Sequence, residues 1–338
     1  MDVWDLIITA LVAFGVTAVA GIFLIPFLHK IKFGQPIIEE YGPTWHASKK
    51  GTPTMGGFLF LTGLVVSLAV GFTLYGVKMN KLGSAPQLKQ QYIRLAINSV
   101  MMLLFMFIGF IDDFIKVVRK HNAGLKDLHK FLMQVAVAVC YLAAMALFGG
   151  ADTIVKLPFF GAVDFGWLYY PVNLILIVGV INAVNITDGI DGLCGSVTFF
   201  SAVAFFSAAS ILGRRDICLM SVALAGALIA YLIYNFHPAK IMMGDTGSML
   251  LGAAVVAMAY GLDLPFLLLP FACLYIIEML TVVIQTIYYK ITHKRLFKMT
   301  PIHHSFELSG YSEAKICAIF SAVEIVGCAL GIWWVATL

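Results

Sequence analysis

The sequence predicts an all-α, polytopic membrane protein. Of its 338 residues, 61% are hydrophobic and only 12% are charged, and the mean hydropathy is +0.94. A soluble domain carries about one quarter charged residues, so this composition excludes an ordinary soluble fold. The formal net charge of +4 is small and spread along the chain, which argues against a nucleic-acid partner.

Long apolar runs predict about ten transmembrane helices, because a helix needs roughly 20 apolar residues to cross the hydrocarbon core. Pro265 and Pro270 predict a bend in the ninth of them. All ten would form a single integral-membrane domain over residues 1–338. The predicted spans are 4–28, 53–75, 94–117, 128–148, 170–185, 193–211, 217–236, 246–262, 264–290 and 314–336.

Three further features complete this outline. The first apolar run is a full span, too long for the core of a cleavable signal peptide. Between spans four and five, the stretch GGADTIVKLPFFGAVDFGWLYY (149–170) alternates apolar and polar residues, which predicts a short periplasmic hairpin. The six cysteines form no CxxC pair and lie mostly in apolar runs, so we expect buried thiols.

The distribution of basic residues sets the orientation. Alternate connecting segments, together with the flanking Lys315, hold 15 of the 22 lysines and arginines, and the basic-rich side of a membrane protein is usually cytoplasmic. Both termini are therefore expected outside. All eight histidines and five aspartates also lie on the cytoplasmic side, which predicts that the active site is there. The segments that would form it are 29–52, 112–130, 185–193, 235–248 and 290–313.

The paired acids Asp112 and Asp113 end span three in FMFIGFIDDFIKVVRK. A charge at membrane depth costs roughly 2.5–3.5 kcal/mol, and acids are disfavoured at the C-terminus of a helix. Neighbouring helical residues point about 100° apart, so one acid could bind a metal while the other faces a reacting group. The structural alternative is a solvated helix end, paired with Lys116 or Arg119.

The stretch NITDGIDGL supplies two more acids between spans five and six. Asp188 and Asp191 would share one face if the segment were helical, and their pattern suits recognition of hydroxyl, amide or base-edge groups. The alternative is that Thr187 or Asp188 caps span six. Gly189 and Gly192 would let a ligand approach the backbone closely.

The stretch GDTGS places Asp245 where span eight begins. Its carboxylate could hold a divalent cation while the first backbone N–H groups of the helix receive a phosphate. A simple N-cap role for Asp245 is the alternative. Because the acids of the two preceding motifs are predicted on the same side of the membrane, the motif favours a phosphate and metal site.

Basic residues complete the predicted inner face. His303 and His304 could donate to phosphate oxygens, and a surface loop without a role is the alternative. Lys49 and Lys50, with His46, precede span two, where they could bind a phosphate or a nucleobase carbonyl, or anchor the chain to the membrane surface. Acids for Mg²⁺, cations for phosphates and walls open to lipid together favour phosphoryl transfer onto a lipid. Repeated pore-lining charges are missing, which disfavours a channel.

Five ordered motifs resemble those of the bacterial phospho-N-acetylmuramoyl-pentapeptide transferase family, within the polyprenyl-phosphate N-acetylhexosamine-1-phosphate transferases. The resemblance runs from about residue 32 to residue 313. The motifs are KFGQPIIEEYGPTWHASKKGTPTMGG, FIDDFIKV, NAVNITDGIDGL, NFHPAKIMMGDTGS and PIHHSFEL.

This resemblance implies ten membrane helices, a homodimer in the bacterial inner membrane, and a Mg²⁺-dependent reaction. Undecaprenyl phosphate and UDP-N-acetylmuramoyl-pentapeptide would give lipid I and UMP. By position, it assigns catalytic roles to Asp112, Asp113, Asp245 and His303, with Asp245 as the metal ligand. The substrate-binding residues that it implies are Lys49, Asn185, Asp188, Asp191, Asn235, Met242, His304, Lys116 and Lys130.

Two positions depart from the family pattern. Ser305 stands where the family usually has a third histidine, and no role is assigned to it. Met242 stands where a phenylalanine can stack on uracil. Methionine keeps an apolar, polarizable contact but loses the ring face, so we expect a different nucleoside affinity.

Alternatives remain at three levels. The transfer could be one in-line displacement, or two steps through an aspartyl phosphate on Asp112 or Asp113. A sibling enzyme would transfer N-acetylglucosamine phosphate with the same acids. A transporter or flippase of lipid-linked sugars would bind substrate without releasing UMP.

Overall fold

The chain folds into a bundle of helices with one small hairpin. The computed structural model describes residues 3–31, 34, 49, 51–81, 85–119, 124–158 and 160–338. The long helices are α1 (Trp4–Lys30), α2 (Gly57–Lys81), α3 (Ala85–Arg119), α4 (Asp127–Leu147), α5 (Tyr169–Thr187), α6 (Leu193–Ile211), α7 (Arg215–Asn235), α8 (Gly244–Gly261), α10 (Cys273–Thr292) and α12 (Glu313–Ala336). Two short helices, α9 (Leu268–Phe271) and α11 (Ile302–Glu307), lie between them.

Nine of the described helices are long and apolar enough to cross a membrane. Their outward faces carry large apolar side chains, such as Phe23, Leu147 and Ile175, each more than 70% exposed. Such a surface is stable against lipid and costly against water. The all-α polytopic membrane fold is confirmed.

The predicted eighth span differs from the other nine. It forms α8, but its polar start excludes it from the nine helices that hydropathy selects. Every residue of α8 except Asp245 is buried. Since neighbouring helices rather than lipid surround α8, it can keep glycine, threonine and serine in its first turns.

The predicted bend in the ninth span is a complete break. Pro265–Leu267 form a 3₁₀ turn, α9 lasts a single turn, and α10 starts again after Ala272. A proline removes a backbone donor and clashes with the preceding turn, so a helix cannot continue smoothly through this region. Several helix ends also move from their predicted positions; α3 starts at residue 85 rather than 94.

The predicted hairpin between the fourth and fifth spans is confirmed. Strands β1 (Ile154–Leu157) and β2 (Gly161–Asp164) pair antiparallel, with Ile154 opposite Asp164 and Leu157 opposite Gly161. The hairpin is the only sheet in the described residues.

Close helix contacts fix the position of α8. A Cβ added to Gly109 of α3 would lie 2.1 Å from the backbone oxygen of Asp245, and one added to Gly57 of α2 would lie 2.5 Å from Gly247. On the other side, a Cβ on Gly252 would lie 2.9 Å from the Cα of Ile181 in α5. Glycine at these positions lets the backbones approach closely, so α8 is held between α2, α3 and α5.

The two ends of the bundle hold different groups of polar residues. At one end, which we call the site end, helices α3, α5 and α7 finish and helices α6, α8 and α12 begin. At the opposite end, Arg94 donates to Asp263 at 2.7 Å and to the carbonyl oxygen of Gly149 at 2.7 Å. Arg214 donates to Asp263 at 3.1 Å and to Asp216 at 3.0 Å. These pairs tie the starts of α3 and α7 to the segments after α4 and α8.

Candidate active site

Asp113 anchors the first turn of α8. One of its oxygens accepts from the backbone N–H of Asp245 at 3.1 Å, and the other accepts from the N–H and the hydroxyl of Thr246 at 2.9 and 2.6 Å. The N-terminal N–H groups of a helix lack partners within the helix, and a carboxylate from α3 supplies them here. Gly244 lies at φ +68°, and a Cβ there would be 2.5 Å from Asp113.

Asp112 and Asp245 face each other beside two lysines. Lys116 lies 2.6 Å from Asp112 and 3.2 Å from Asp245, and Lys130 lies 2.6 Å from Asp245. The backbone N–H of Leu125 donates to the second oxygen of Asp112 at 2.8 Å. Asp112 and Asp113 are 3% and 4% exposed. The alternative of a solvated helix end is therefore wrong, although its ion pair with Lys116 is present.

An amide connects α5 to this group. Asn185 donates to Asp245 at 3.0 Å and to the hydroxyl of Ser248 at 2.8 Å. Carboxylate oxygens of Asp112, Asp113 and Asp245 all lie within 4.8 Å of one another. We call these three residues the triad.

A second group of charges lies at the starts of α6 and α12. Lys49 donates to Asp191 at 2.7 Å and to Glu313 at 2.8 Å. Glu313 also accepts from the backbone N–H of Asp191 at 2.7 Å, and His237 Nδ1 lies 3.1 Å from Asp191. We call Lys49, Asp191, His237 and Glu313 the quartet.

Asn235 and Met242 hold the loop between α7 and α8. Asn235 accepts from the N–H of Gly192 at 3.1 Å and donates to the carbonyl oxygen of Ile241 at 2.8 Å. Met242 is 9% exposed. Its backbone N–H donates to Pro53 and its carbonyl oxygen accepts from Gly56, both at 2.8 Å.

Residues of both the triad and the quartet influence the pKa of Asp188. Burial raises its pKa well above the usual range, and the charges of Asp245, Asp113 and Asp191 act in the same direction, while Lys49 opposes them. The segment that carries Asp188 also connects the two groups, because Asn185 donates to Asp245 of the triad and Asp191 belongs to the quartet.

The turn between α5 and α6 corrects one prediction. Asp188 and Asp191 lie in this turn rather than on a helix. Helix α6 begins after Gly192, at φ +78°, with no side-chain cap, so neither Thr187 nor Asp188 caps it. The turn needs the left-handed backbone conformation that glycine adopts without strain.

The start of α8 corrects a second prediction. We expected its first N–H groups to receive a phosphate, but those of Asp245 and Thr246 already donate to Asp113. Asp245 is not a simple N-cap either, since it lies in the first turn and points toward the lysines.

The two histidines are buried, so the surface-loop alternative is wrong. His303 is fully buried and its Nδ1 lies 3.2 Å from Glu278 of α10. A Cβ added to Gly189 would lie 2.2 Å from His303 Nε2, so the ring packs against the turn that carries Asp188 and Asp191. We call this turn the acidic turn. His304 Nδ1 lies 2.6 Å from Glu307.

Ser305 has a structural role that the sequence did not reveal. Its hydroxyl donates to the carbonyl oxygen of Met299 at 2.6 Å and accepts from the N–H of Met299 at 3.0 Å. It thereby closes the loop before α11. His46 and Lys50 lie outside the described residues.

Sequence reasoning missed Glu313 and Glu278, and it noted His237 only as one of several histidines. No local motif marks these residues, since Glu278 lies in an apolar helix and Glu313 opens a span. An acid within an apolar span was the one available signal for Glu278.

Proteins named phospho-N-acetylmuramoyl-pentapeptide-transferase match nearly the whole chain. That of Halalkalibacterium halodurans is 39% identical, covering 97% of both chains, and that of Bacillus subtilis is 37% identical with the same coverage. That of Shouchella clausii is 38% identical, covering 98% of this chain and 99% of its own. This chain belongs to the phospho-N-acetylmuramoyl-pentapeptide-transferase family.

Family models support the same conclusion. The model of glycosyl transferase family 4 matches residues 95–263, and the first phospho-N-acetylmuramoyl-pentapeptide-transferase signature matches residues 49–61. The first range contains the triad, and the second begins at Lys49. The resemblance inferred from the five motifs is confirmed.

Proposed function

We propose that the protein transfers phospho-N-acetylmuramoyl-pentapeptide from its UDP-linked donor to undecaprenyl phosphate, giving lipid I and UMP. One observation carries the proposal. The triad with its two lysines and the quartet lie at one end of a membrane bundle, and residues 185–191 connect them, because Asn185 donates to Asp245 and Asp191 pairs with Lys49. Such an arrangement suits a reaction between a charged nucleotide and a phosphate on a lipid.

The triad fits a divalent cation of the Mg²⁺ type, which prefers oxygen ligands in compact geometry. Asp245 and Asp112 offer carboxylate oxygens within reach of one another. Both oxygens of Asp113 already accept hydrogen bonds from the start of α8, so we assign Asp113 to positioning Asp245. A bound Mg²⁺ would neutralise charge on the diphosphate and on the departing phosphate.

The two lysines and Asn185 complete the phosphate end of the proposed site. An ammonium group has three N–H donors, so Lys116 and Lys130 can contact a carboxylate and a phosphate oxygen together. Asp112, held by Lys116 and by the N–H of Leu125, would orient the lipid phosphate or accept its proton. Asn185 fixes the orientation of Asp245.

We propose one in-line displacement. An oxygen of the lipid phosphate forms a bond to the sugar-linked phosphorus while the bond from that phosphorus to the bridging oxygen breaks. The bridging oxygen leaves with UMP. A two-step route would need a free carboxylate as nucleophile, and hydrogen bonds or ion pairs engage both Asp112 and Asp113.

The quartet and its neighbours form the proposed donor end. Lys49 and Asp191 would bind the uracil and ribose groups, with Asn235 holding the loop that faces them and Met242 as an apolar contact. Asp188 would face the sugar. We leave His303 out of direct contact with substrate because it is fully buried behind Gly189, and His304 contacts Glu307.

We further propose that the protein lies in the bacterial inner membrane as a homodimer, with the site end facing the cytoplasm. Basic segments concentrate on that side in the sequence. A thiol reagent that cannot cross membranes would then reach a cysteine introduced at Ala239 in inverted vesicles but not in intact cells.

The decisive experiment measures UMP release from UDP-N-acetylmuramoyl-pentapeptide by the purified protein in detergent or nanodiscs. We expect release only when polyprenyl phosphate and Mg²⁺ are both present. Faster release from UDP-N-acetylglucosamine would assign the protein to the sibling activity. Donor binding without UMP release would contradict the proposed transfer and favour a transporter.

A further inference from the structure

Glu278 is a buried acid outside the groups described so far. It lies early in α10 and is fully buried, as is His303. Within the described residues, no hydrogen bond of good geometry reaches either oxygen of Glu278 or either ring nitrogen of His303. The 3.2 Å approach between Glu278 Oε2 and His303 Nδ1 is the polar contact that these two groups share.

A lone carboxylate in a membrane bundle is costly, and it persists when a partner compensates for the lost water. An imidazole nitrogen is such a partner, because a carboxylate beside one nitrogen fixes the ring orientation and the tautomer. Glu278 therefore points His303 Nε2 away from itself.

The opposite edge of His303 faces the acidic turn. A Cβ on Gly189 would lie 2.2 Å from Nε2 and 2.8 Å from Cε1. The ring is thus in van der Waals contact with the backbone between Asp188 and Ile190. We propose that Glu278 is a positioning residue: it holds His303 against Gly189 and thereby fixes the turn that carries Asp188 and Asp191.

A second buried acid offers a matched control. Glu324 of α12 is also fully buried. It accepts from the backbone N–H of Leu274 at 2.9 Å and from the hydroxyl of Ser201 at 3.0 Å. Glu324 thus secures the start of α10, close to Glu278 along the same helix, without contacting a histidine.

The first test does not depend on the proposed activity. Hydrogen exchange is followed in the full-length protein for peptides covering residues 186–193. We expect roughly tenfold faster exchange in E278Q, wild-type exchange there in E324Q, and partial recovery in E278D. Unchanged exchange in E278Q would overturn the proposal, as would equal loosening in E324Q. If E278Q does not fold, H303Q tests the same contact from the other side.

The consequence for turnover rests on the proposed function. Because the turn carries Asp188 and Asp191, E278Q should raise the KM for the nucleotide donor about tenfold and leave the KM for polyprenyl phosphate unchanged. The E278Q and H303Q effects should not add in the double variant. Equal changes in both KM values, or additive effects, would contradict the positioning role. A wild-type protein without UMP release would reject the proposed function and leave the exchange result standing.

Discussion

The two ends of the bundle both contain partly buried ion pairs, but these groups differ in charge balance. At the opposite end, Arg94 and Arg214 share Asp263, and Arg214 also pairs with Asp216. Two cations thus meet two carboxylates, and remaining guanidinium donors reach backbone carbonyl groups such as that of Gly149. This network satisfies itself and ties helices together.

At the site end, the triad, the quartet and Asp188 together hold six carboxylates, and three lysines pair with them. Burial raises the pKa of Asp188, three neighbouring acids raise it further, and Lys49 lowers it. An unbalanced group of acids costs stability unless a ligand supplies positive charge. The comparison teaches that balanced pairs serve structure, whereas the excess of acid within the triad, the quartet and Asp188 indicates chemistry. The acids there are Asp112, Asp113, Asp188, Asp191, Asp245 and Glu313, and the lysines are Lys49, Lys116 and Lys130.

The largest expected difference in activity is between two Asp→Asn variants, one at each end of the bundle. D245N should lower UMP release by roughly a thousandfold, because it removes a carboxylate proposed to hold the divalent cation that would stabilise the transferring phosphate. D263N should keep activity near wild type, since asparagine tolerates the positive φ of 59° at that position. Equal losses in the two variants would contradict the distinction between the ends.

A smaller loss of activity is expected when an added methyl group pushes the acidic turn away from His303. In G189A, the added Cβ would clash with His303 Nε2, and kcat/KM should fall tenfold to a hundredfold, as expected for a misplaced binding group. G15A is the control, because a Cβ there meets nothing within 4 Å. Wild-type kinetics in G189A would exclude tight packing between this turn and His303.

Divalent-ion binding should appear as a thermal shift. At free Mg²⁺ one hundred times its Kd, a single site adds about 2.7 kcal/mol to the free energy of unfolding. Wild type and D263N should both show this stabilisation, and D245N should lose it. Chelation should also stop UMP release, and turnover that persists in EDTA would remove the cation from the proposal.

The smallest effect concerns Met242. M242F would restore a ring face for stacking on uracil, worth about 1 kcal/mol or roughly a fivefold gain in nucleotide affinity. Isothermal titration with UMP would measure the gain, and pyrophosphate, which has no base, should bind both proteins equally. Weaker UMP binding would indicate that the ring does not fit beside Pro53 and Gly56.

Much of the fold could be predicted from the sequence. Apolar runs predicted nearly every span, prolines predicted a bend where the ninth span is in fact interrupted, and alternating residues predicted the hairpin, because lipid exposure and backbone geometry act locally. The acidic motifs at Asp112, Asp188 and Asp245 indicated a shared region, and the structure brings the triad together.

The remaining features depend on contacts between distant segments. Asp113 caps α8 from 132 positions away, and Glu313 reaches the N–H of Asp191 from 122 positions away. Neither contact leaves a local pattern, since side chains that meet across helices need no fixed spacing. Glu278 is the clearest example, because its partner lies on another helix and its neighbours in the chain are apolar.

The enclosure of α8 also bears on how membrane proteins are surveyed. A hydropathy scan detects the preference of a segment for lipid, and a helix wrapped by its own protein can pass unseen. At about 27 Å, α8 has the length of a bilayer core, and it carries Asp245 in its first turn. Segments of borderline hydropathy that begin with glycine and an acid are therefore good places to search uncharacterised transporters and transferases for reactive centres.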